Sequence, residues 1–316
     1  MRGTVPWLLD HVEPQIYDML EIPLRWNLGD STASRSRARL PVRTIFYHRG
    51  PLLKRSDISL EAEFAAPRIP VTRMARARVQ RILDAIVDAS AVRYRELWGF
   101  VHPDPAHVYH ADLGRGVDFY FFGIPAAWRL PLRAYHSGMF FKNGVPAGYF
   151  EGLSFFERME AGFNLYYTFR EGETAWLYAR ILKLFRERIG VTCYSIDPYQ
   201  LGHENEEAIE SGAFWFYRKL GFRPASANVA RLVAHEEQRI AAEPGYRTPA
   251  ATLRRLAQAP LIYGGGPEWD RFEVRNLATK KFALPDEIAR AKHAREETRY
   301  LRLLQQDKAL RKRIFG

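Results

Sequence analysis

The sequence predicts an α/β protein with one mixed sheet, and three features of the chain indicate this fold class. Two apolar runs of strand type, residues 163–169 and 191–196, enclose an amphipathic helix. Earlier in the chain, strand-like runs are joined by an Asn-Gly pair, which is typical of a tight hairpin. After residue 224 the patterns are mainly helical. Together these features predict an antiparallel meander that leads into a parallel crossover, followed by a helical tail.

The first 72 residues predict an extension that packs on the main domain, because prolines interrupt their short apolar segments. Residues 73–98 then predict a helix that ends at Gly99. A solvent-exposed helix face explains the arginines of this helix, and a nucleic-acid-binding face is the alternative. The residues expected to form the buried stripe are Val79, Ile82, Leu83, Ile86 and Val87.

Three strands of the predicted sheet come next. Residues 117–124 form an almost continuous apolar and aromatic run, which predicts a buried strand. Residues 135–142 and 145–156 predict two more strands. Between them Asn143-Gly144 favours a type I′ turn, because both central positions of that turn need positive φ.

The crossover region contains two helices. Residues 177–189 carry apolar side chains at helical spacing, and Gly190 follows them at a position where glycine is favoured. A second helix ends at Gly221, and its apolar side consists of Phe214, Tyr217 and Leu220.

The remaining chain predicts helices over residues 228–242 and 285–313, and a third helix with Thr248 as N-cap and Pro249 as its first residue. Only residues 261–263 look like a strand. We therefore divide the chain into an extension (1–72), a central domain (73–224) and a helical carboxyl-terminal region (225–316).

Composition bounds the class of protein. The 316 residues are 47% hydrophobic, which allows a large folded core. The single cysteine, Cys193, excludes an internal disulfide and a cysteine-based metal cluster, and its predicted strand favours a packing role over a nucleophilic one. No signal-like segment or membrane span is evident, so a cytoplasmic location without membrane contact is expected. The net charge of +11 favours acidic partners, and nucleic acid is one possibility.

The order strand, turn, helix, strand, loop, helix ends in the letters FYRKLGF over residues 216–222. This order and ending resemble the GNAT superfamily of acyl-CoA-dependent N-acyltransferases, whose last helix has a similar ending. Ala213 lies four residues before Tyr217, as in the family pattern. The resemblance implies a GNAT-like mixed sheet, acetyl-CoA or another acyl-CoA as co-substrate, and a small-molecule or protein amine as acceptor.

The family also has an Arg/Gln-x-x-Gly-x-Gly/Ala turn before its central helix. Arg170 and Ala175 match the ends of this motif, whereas Glu173 stands at its first glycine and Gly172 lies one position early. A strand that ends at a helix N-terminus leaves backbone N–H groups that bind anions, so a phosphate site is expected here. A purely structural turn, in which the glutamates favour the helix dipole, is the alternative. The implied carrier contacts are Phe169, Arg170, Gly172, Glu173, Thr174 and Ala175.

By the same resemblance, Tyr217 is the candidate acid for the leaving thiolate, with a buried core tyrosine as the alternative. Glu160 is the first candidate for the base and Glu151 the second, although carboxylates of this kind more often lie on the surface without a catalytic role. Asn205 and Ser211 are candidates to contact the pantetheine arm of CoA. The oxyanion contact would be a backbone N–H of the strand before the turn.

No metal site is predicted. His107 and His110 stand three residues apart with Asp112 nearby, but no third ligand has suitable spacing. Two hypotheses therefore follow from the sequence. The chain is an N-acyltransferase that takes an acyl group from CoA, or it is a GNAT-like module with altered catalysis that binds nucleic acid or an acidic protein. The glutamate in the glycine motif favours the second. So does the end of the chain, because a GNAT domain normally adds two strands after the position of Phe222, and only residues 261–263 look like a strand here.

Overall fold

A computed structural model of the protein describes residues 11, 39–93, 97–125, 128, 133–155, 157–166, 169 and 173–265. The helix predicted for residues 285–313 lies outside these residues, as does most of the region before residue 39. Among the helices of the described ranges, none is long and apolar enough to cross a membrane.

The strands form one mixed sheet, as the sequence predicts. The order across the sheet is β1-β2-β3-β4-β5-β6-β7-β9-β8. β6 and β7 pair in parallel, and the other described neighbours pair antiparallel. The strands are β1 (Val71–Arg73), β2 (Val108–Gly114), β3 (Val117–Phe122), β4 (Ala134–Lys142), β5 (Val145–Phe155), β6 (Arg158–Leu165), β7 (Cys193–Ile196), β8 (Arg223–Pro224) and β9 (Leu261–Gly264).

Helices cover both faces of the sheet. α4 packs on one face together with α1, and α2 and α3 pack on the other face. The described helices are α1 (Leu60–Ala65), α2 (Arg76–Ala91), α3 (Trp98–Val101), α4 (Thr174–Ile189), α5 (Pro198–Leu201), α6 (Glu206–Glu210), α7 (Ala213–Arg218), α8 (Ala227–Ala242) and α9 (Ala250–Leu256).

The strongest local signals of the sequence are confirmed. α4 ends at Ile189, and Gly190 adopts the left-handed conformation with φ of 77°. In the hairpin between β4 and β5, Asn143 and Gly144 have φ of 48° and 77°, as the type I′ turn requires. α4 is the centre of the larger core, where Phe185 stacks on Phe150 of β5 with ring centroids 5.0 Å apart.

The predicted helix over residues 73–98 is shorter than expected. α2 ends at Ala91, and Gly99 lies inside the separate helix α3. A Cβ atom at Gly99 would lie 2.4 Å from the Cβ of Ser137, so glycine is needed there for close contact with β4 rather than to end α2. Val87 is 43% exposed and does not belong to the buried stripe, whereas the other four predicted members are buried.

The strand predicted for residues 163–169 begins earlier and ends earlier, because β6 covers Arg158–Leu165. Its first half contains buried charged residues that interrupt the apolar pattern. Arg158 is 2% exposed, and its Nε donates to the hydroxyl of Ser195 on β7 at 3.2 Å. A buried polar pair of this kind hides a strand from hydrophobicity-based reading.

The chain after α7 forms one strand more than the sequence predicts. β9 lies between β7 and β8, so two strands follow α7 where the sequence predicted one. β8 has two residues, which is too short to give a periodic signal. Thr248 is not the N-cap of α9, since Pro249 occupies that position. The hydroxyl of Thr248 instead accepts a hydrogen bond from Trp215 Nε1 at 3.1 Å.

Lys183 of α4 joins the end of α1 to the core. Its side chain is fully buried, and its Nζ donates to the carbonyl of Ala66 at 2.7 Å and contacts Glu187 Oε1 at 2.9 Å. Replacement by methionine (Lys183→Met) should lower the free energy of unfolding by about 3 kcal/mol, because both partners lose their counterpart in a buried setting.

The measurement is urea denaturation at neutral pH. Lys219→Met, at an exposed lysine, is the matched control and should change the free energy by less than about 0.5 kcal/mol. Equal stability of wild type and Lys183→Met would show that the buried lysine does not stabilise the fold.

Candidate functional site

The pairing of β6 with β7 is short, and a cleft opens where it ends. The parallel register runs from Arg158–Cys193 to Glu160–Ser195. β6 then continues along β5 to Leu165, whereas the chain leaves β7 after Ile196 and enters α5. Since alternate peptide groups of a strand point to opposite neighbours, part of the β6 backbone beyond Glu160 faces this cleft instead of another strand.

The cleft has a volume of about 550 Å³, which is within the range of small-molecule sites. It extends from the N-terminus of α4, along the edge of β6, to α5, α6 and α7. The described residues that line it are Tyr149, Glu151, Gly162, Phe163, Asn164, Leu165, Thr174, Tyr199, Gln200, Asn205, Glu207, Ala208, Ser211, Ala213, Phe216 and Tyr217.

Five of the residues predicted as site residues meet in this cleft. They come from three elements and from the two cap positions of α6: Tyr217, Glu151, Thr174, Asn205 and Ser211. Asn205 also has a structural role, because its Oδ1 caps α6 by accepting from the backbone N–H of Ala208 at 3.2 Å. The hydroxyl of Ser211 donates to the carbonyl of Ala208 at 3.3 Å.

The other predicted site residues are placed differently. Phe169 and Ala175 are buried in the core beside α4. Glu160 is 9% exposed on β6, opposite Ser195, and does not line the cleft. Arg170 and Gly172 lie outside the described residues. Of the residues predicted to contact the carrier at the turn before α4, Thr174, the first residue of α4, lines the cleft.

Glu173 points away from the cleft. Its carboxylate accepts a hydrogen bond from Arg115 Nε at 2.6 Å and another from the backbone N–H of Leu53 at 3.0 Å. Both partners line a second cavity of about 970 Å³, between residues 41–53 and the β2–β3 turn. Burial raises the pKa of Glu173, but the hydrogen bonds and the charge of Arg115 outweigh burial, so the pKa is lowered. The residue is an ionised link between the extension and the start of α4.

Tyr217 is 4% exposed and lines the cleft. The hydroxyl donates to Gln200 Oε1 at 3.2 Å, and the ring packs on Tyr178, with centroids 5.6 Å apart. Burial raises the pKa of Tyr217 well above its ordinary value. The phenol therefore stays protonated near neutral pH, so it can donate a hydrogen bond but cannot act as a general base.

Gln200 is a cleft residue that the sequence analysis did not single out. It lies on α5, where Asp197 caps the helix by accepting from the N–H of Tyr199 at 2.9 Å. Its Oε1 accepts from the backbone N–H of Phe163 at 3.4 Å as well as from Tyr217. The available signal in the sequence was a polar side chain that closely follows the short strand-like run of residues 191–196.

The lining of the cleft carries negative rather than positive side chains. Two carboxylates, Glu151 and Glu207, are present, and no lysine, arginine or histidine occurs among the described lining residues. Such a lining favours a cationic group, such as a protonated amine, near this wall.

In the described ranges, no group of three or more histidine, cysteine, aspartate or glutamate side chains is arranged to hold a metal ion. His107 pairs with Asp104 at 2.7 Å, and His110 pairs with Asp118 at 2.6 Å on the neighbouring strand. These histidines are hydrogen-bonded in separate pairs.

Comparison of the chain with protein-family models, with curated proteins and with solved structures gave no match.

The link at Glu173 gives a pH-dependent prediction. Its pKa is lowered from 4.5 in the fold, so its contribution to stability is complete above pH 4.5 and is lost as the pH falls through the lower folded value. Removal of the arginine (Arg115→Met) should cost about 2 kcal/mol at pH 7, because a buried carboxylate loses a charged hydrogen bond. The cost should become smaller below pH 4.5.

Urea denaturation at pH 7 and pH 4 measures both values. Arg188→Met, at an exposed arginine of α4, is the matched control and should have little effect at either pH. A cost of Arg115→Met that is the same at both pH values would assign the effect to packing rather than to the ionised carboxylate of Glu173.

Proposed function

We propose that the protein is an acyl-CoA-dependent N-acyltransferase of the GNAT type. The observation that carries this proposal is the opening between the parallel strands β6 and β7, lined by a protonated Tyr217 and bordered by the start of α4. A helix N-terminus, an exposed strand edge and a buried donor are the parts that a phosphate-bearing thioester requires.

The cleft suits the carrier in three sections. Phosphates would lie at the N-terminus of α4 beside Thr174, where the helix dipole favours negative charge. The amide-containing arm would extend along β6, whose outward peptide groups can bond it as a strand would. Glu173 does not oppose this placement, because its charge is held by Arg115 on the other side.

In the proposed reaction, the nitrogen of a neutral amine attacks the thioester carbonyl, a C–N bond forms and the C–S bond breaks. The amine gives up a proton to a carboxylate, which passes it to solvent, and the leaving thiolate takes up a proton from solvent, so that the products are the amide and the free thiol. Glu151 is the carboxylate we assign as base, because it lines the cleft and its register partner on β6 is Gly162. Tyr217 supplies a hydrogen bond to the thioester as it reacts.

Acceptor class follows from the lining. An amine approaches as an ammonium ion, and the carboxylates of Glu151 and Glu207 attract it before it loses its proton. The net charge of +11 instead attracts the polyanionic carrier at longer range. We therefore propose an amine acceptor and an anionic acyl donor.

The alternative of a catalytically altered binding module loses two of its supports. Two strands, β8 and β9, follow α7 after all. The glutamate at the glycine position of the turn is directed away from the cleft. Binding of nucleic acid in place of CoA is thus the contrary outcome of the experiments below.

Carrier binding can be tested by calorimetry with CoA and acetyl-CoA. Ser211→Trp should weaken binding at least about ten-fold, because an indole at this lining position fills the cleft. Ser56→Trp is the matched control, since Ser56 is exposed and does not line the cleft, and it should bind CoA like the wild type. Absence of CoA binding in the wild type, together with salt-sensitive RNA binding, would contradict the proposal.

The role of Tyr217 can be tested by thiol release from acetyl-CoA with a panel of amines. Tyr217→Phe should lower turnover about 100-fold or more, with less than about three-fold change in the Kd of CoA, because a donor to the reacting group is lost. Tyr178→Phe is the matched control. Tyr178 is fully buried, its hydroxyl has no hydrogen-bond partner among the described residues, and it does not line the cleft.

Tyr178→Phe should therefore retain turnover and keep or raise stability. Unchanged turnover in Tyr217→Phe would remove this residue from the reaction.

A further inference from the structure

Two donors in the cleft converge on a single oxygen atom. The backbone N–H of Phe163 lies 3.4 Å from Gln200 Oε1, and the hydroxyl oxygen of Tyr217 lies 3.2 Å from it. One donor belongs to a strand and the other to a helix, so neither depends on the other for its position. Two fixed donors aimed at one oxygen are the arrangement that stabilises a carbonyl oxygen as negative charge develops on it.

The position of Gln200 depends on a glycine across the cleft. A Cβ atom at Gly162 would lie 2.9 Å from Gln200 Nε2, which is too close for a real contact. The next nearest atom to that Cβ position is the carbonyl oxygen of Glu151, at 3.3 Å. Gly162 thus leaves the space that the carboxamide of Gln200 occupies beside β6.

The element that carries Gln200 is fixed at both ends. Asp197 caps its start, and Gly202 follows its last residue with φ of 122°. A Cβ atom at Gly202 would lie 2.2 Å from Ile209 Cδ1, so α5 is pressed against α6. The backbone of α5 is held in place, and the side chain of Gln200 is the part that can rotate out of the cleft.

We propose that Gln200 is a displaceable internal ligand, whose amide oxygen occupies the acyl-oxygen site of the free protein. Its carboxamide resembles the group it stands in for, since both offer one carbonyl oxygen to the N–H of Phe163 and the hydroxyl of Tyr217. A thioester that enters the cleft takes over both donors, and Gln200 swings away. This inference rests on the proposed function and assigns Tyr217 to the acyl oxygen rather than to the leaving sulfur.

The need to displace Gln200 lowers the affinity of the protein for a thioester. Each thioester that binds must displace hydrogen bonds that are already made, so the apparent affinity is lower than that of an open site. Gln200→Ala removes the competitor and should lower the Kd of acetyl-CoA at least about five-fold, because the two neutral hydrogen bonds to Gln200 no longer have to be broken. Gly162→Ala should act in the same direction, because the added methyl group pushes the carboxamide off the strand.

The two variants form a cycle that separates this role from a merely structural one. In the double variant Gln200→Ala/Gly162→Ala the methyl group has no carboxamide to displace, so its affinity should equal that of Gln200→Ala alone. If Gly162→Ala instead weakens binding in both backgrounds, the glycine serves the ligand directly and the proposal is wrong. Loss of turnover in Gln200→Ala without tighter binding would show that Gln200 only orients Tyr217, and would also overturn it.

A measurement on the free protein distinguishes failure of this inference from failure of the proposed function. Hydrogen exchange of the Phe163 amide, followed by NMR, should accelerate in Gln200→Ala and in Gly162→Ala and slow again when acetyl-CoA is added. Unchanged exchange in both variants overturns the inference whatever the protein binds. Faster exchange in variants that, like the wild type, bind no acetyl-CoA overturns the proposed function and, with it, the exchange of ligands.

Discussion

The unequal lengths of β6 and β7 create the cleft that is proposed to bind the acyl carrier. β6 has eight residues and β7 has four, and their register covers only the first three positions of β6. A buried peptide group without a partner costs free energy, so the remaining edge of β6 must bond to something else. In the free protein the carboxamide of Gln200 supplies one such bond, to the N–H of Phe163. A strand edge that is satisfied by a side chain, instead of by a neighbouring strand, can exchange that side chain for a ligand.

The walls of the cleft are held by contacts that lie outside it. The start of α4 is anchored by Glu173, which joins Arg115 of the β2–β3 turn to the backbone of Leu53 in the extension. The opposite wall is anchored by the cap at Asp197 and the close contact at Gly202. The extension before residue 72 is therefore part of the support of the site, although the sequence placed it outside the central domain. Preorganised walls of this kind reduce the cost of ordering a site when a ligand binds.

Local signals determined how much of this structure could be predicted. The helix α4 and the hairpin at Asn143-Gly144 followed from periodicity and from backbone conformations that few residues adopt. Pairing between distant elements left no such signal. The two-residue strand β8 has no period, and the buried Arg158 interrupted the apolar pattern of β6. The same limit applies to the site, because a single sequence does not show that Gln200 and Tyr217 meet.

Glu173 stands at the glycine position of the family's turn, but its charge is paired outside the cleft. From the letters alone, Glu173 brings negative charge to an anion site, which argues against a phosphate there. In the fold its carboxylate is 58 residues distant in sequence from its partner Arg115 and close to it in space.

Donor and acceptor groups lie around one short stretch of β6. Tyr217 and the N–H of Phe163 offer hydrogens from one side, and Glu151 is the register partner of Gly162 on the neighbouring strand. Burial keeps the phenol protonated, so in the proposed reaction a carboxylate, and not Tyr217, takes the proton of the amine. Glu160 lies on the paired part of β6, opposite Ser195, and not in the lining, so the proposed reaction assigns the base to Glu151. The division of roles thus follows from where the two strands part.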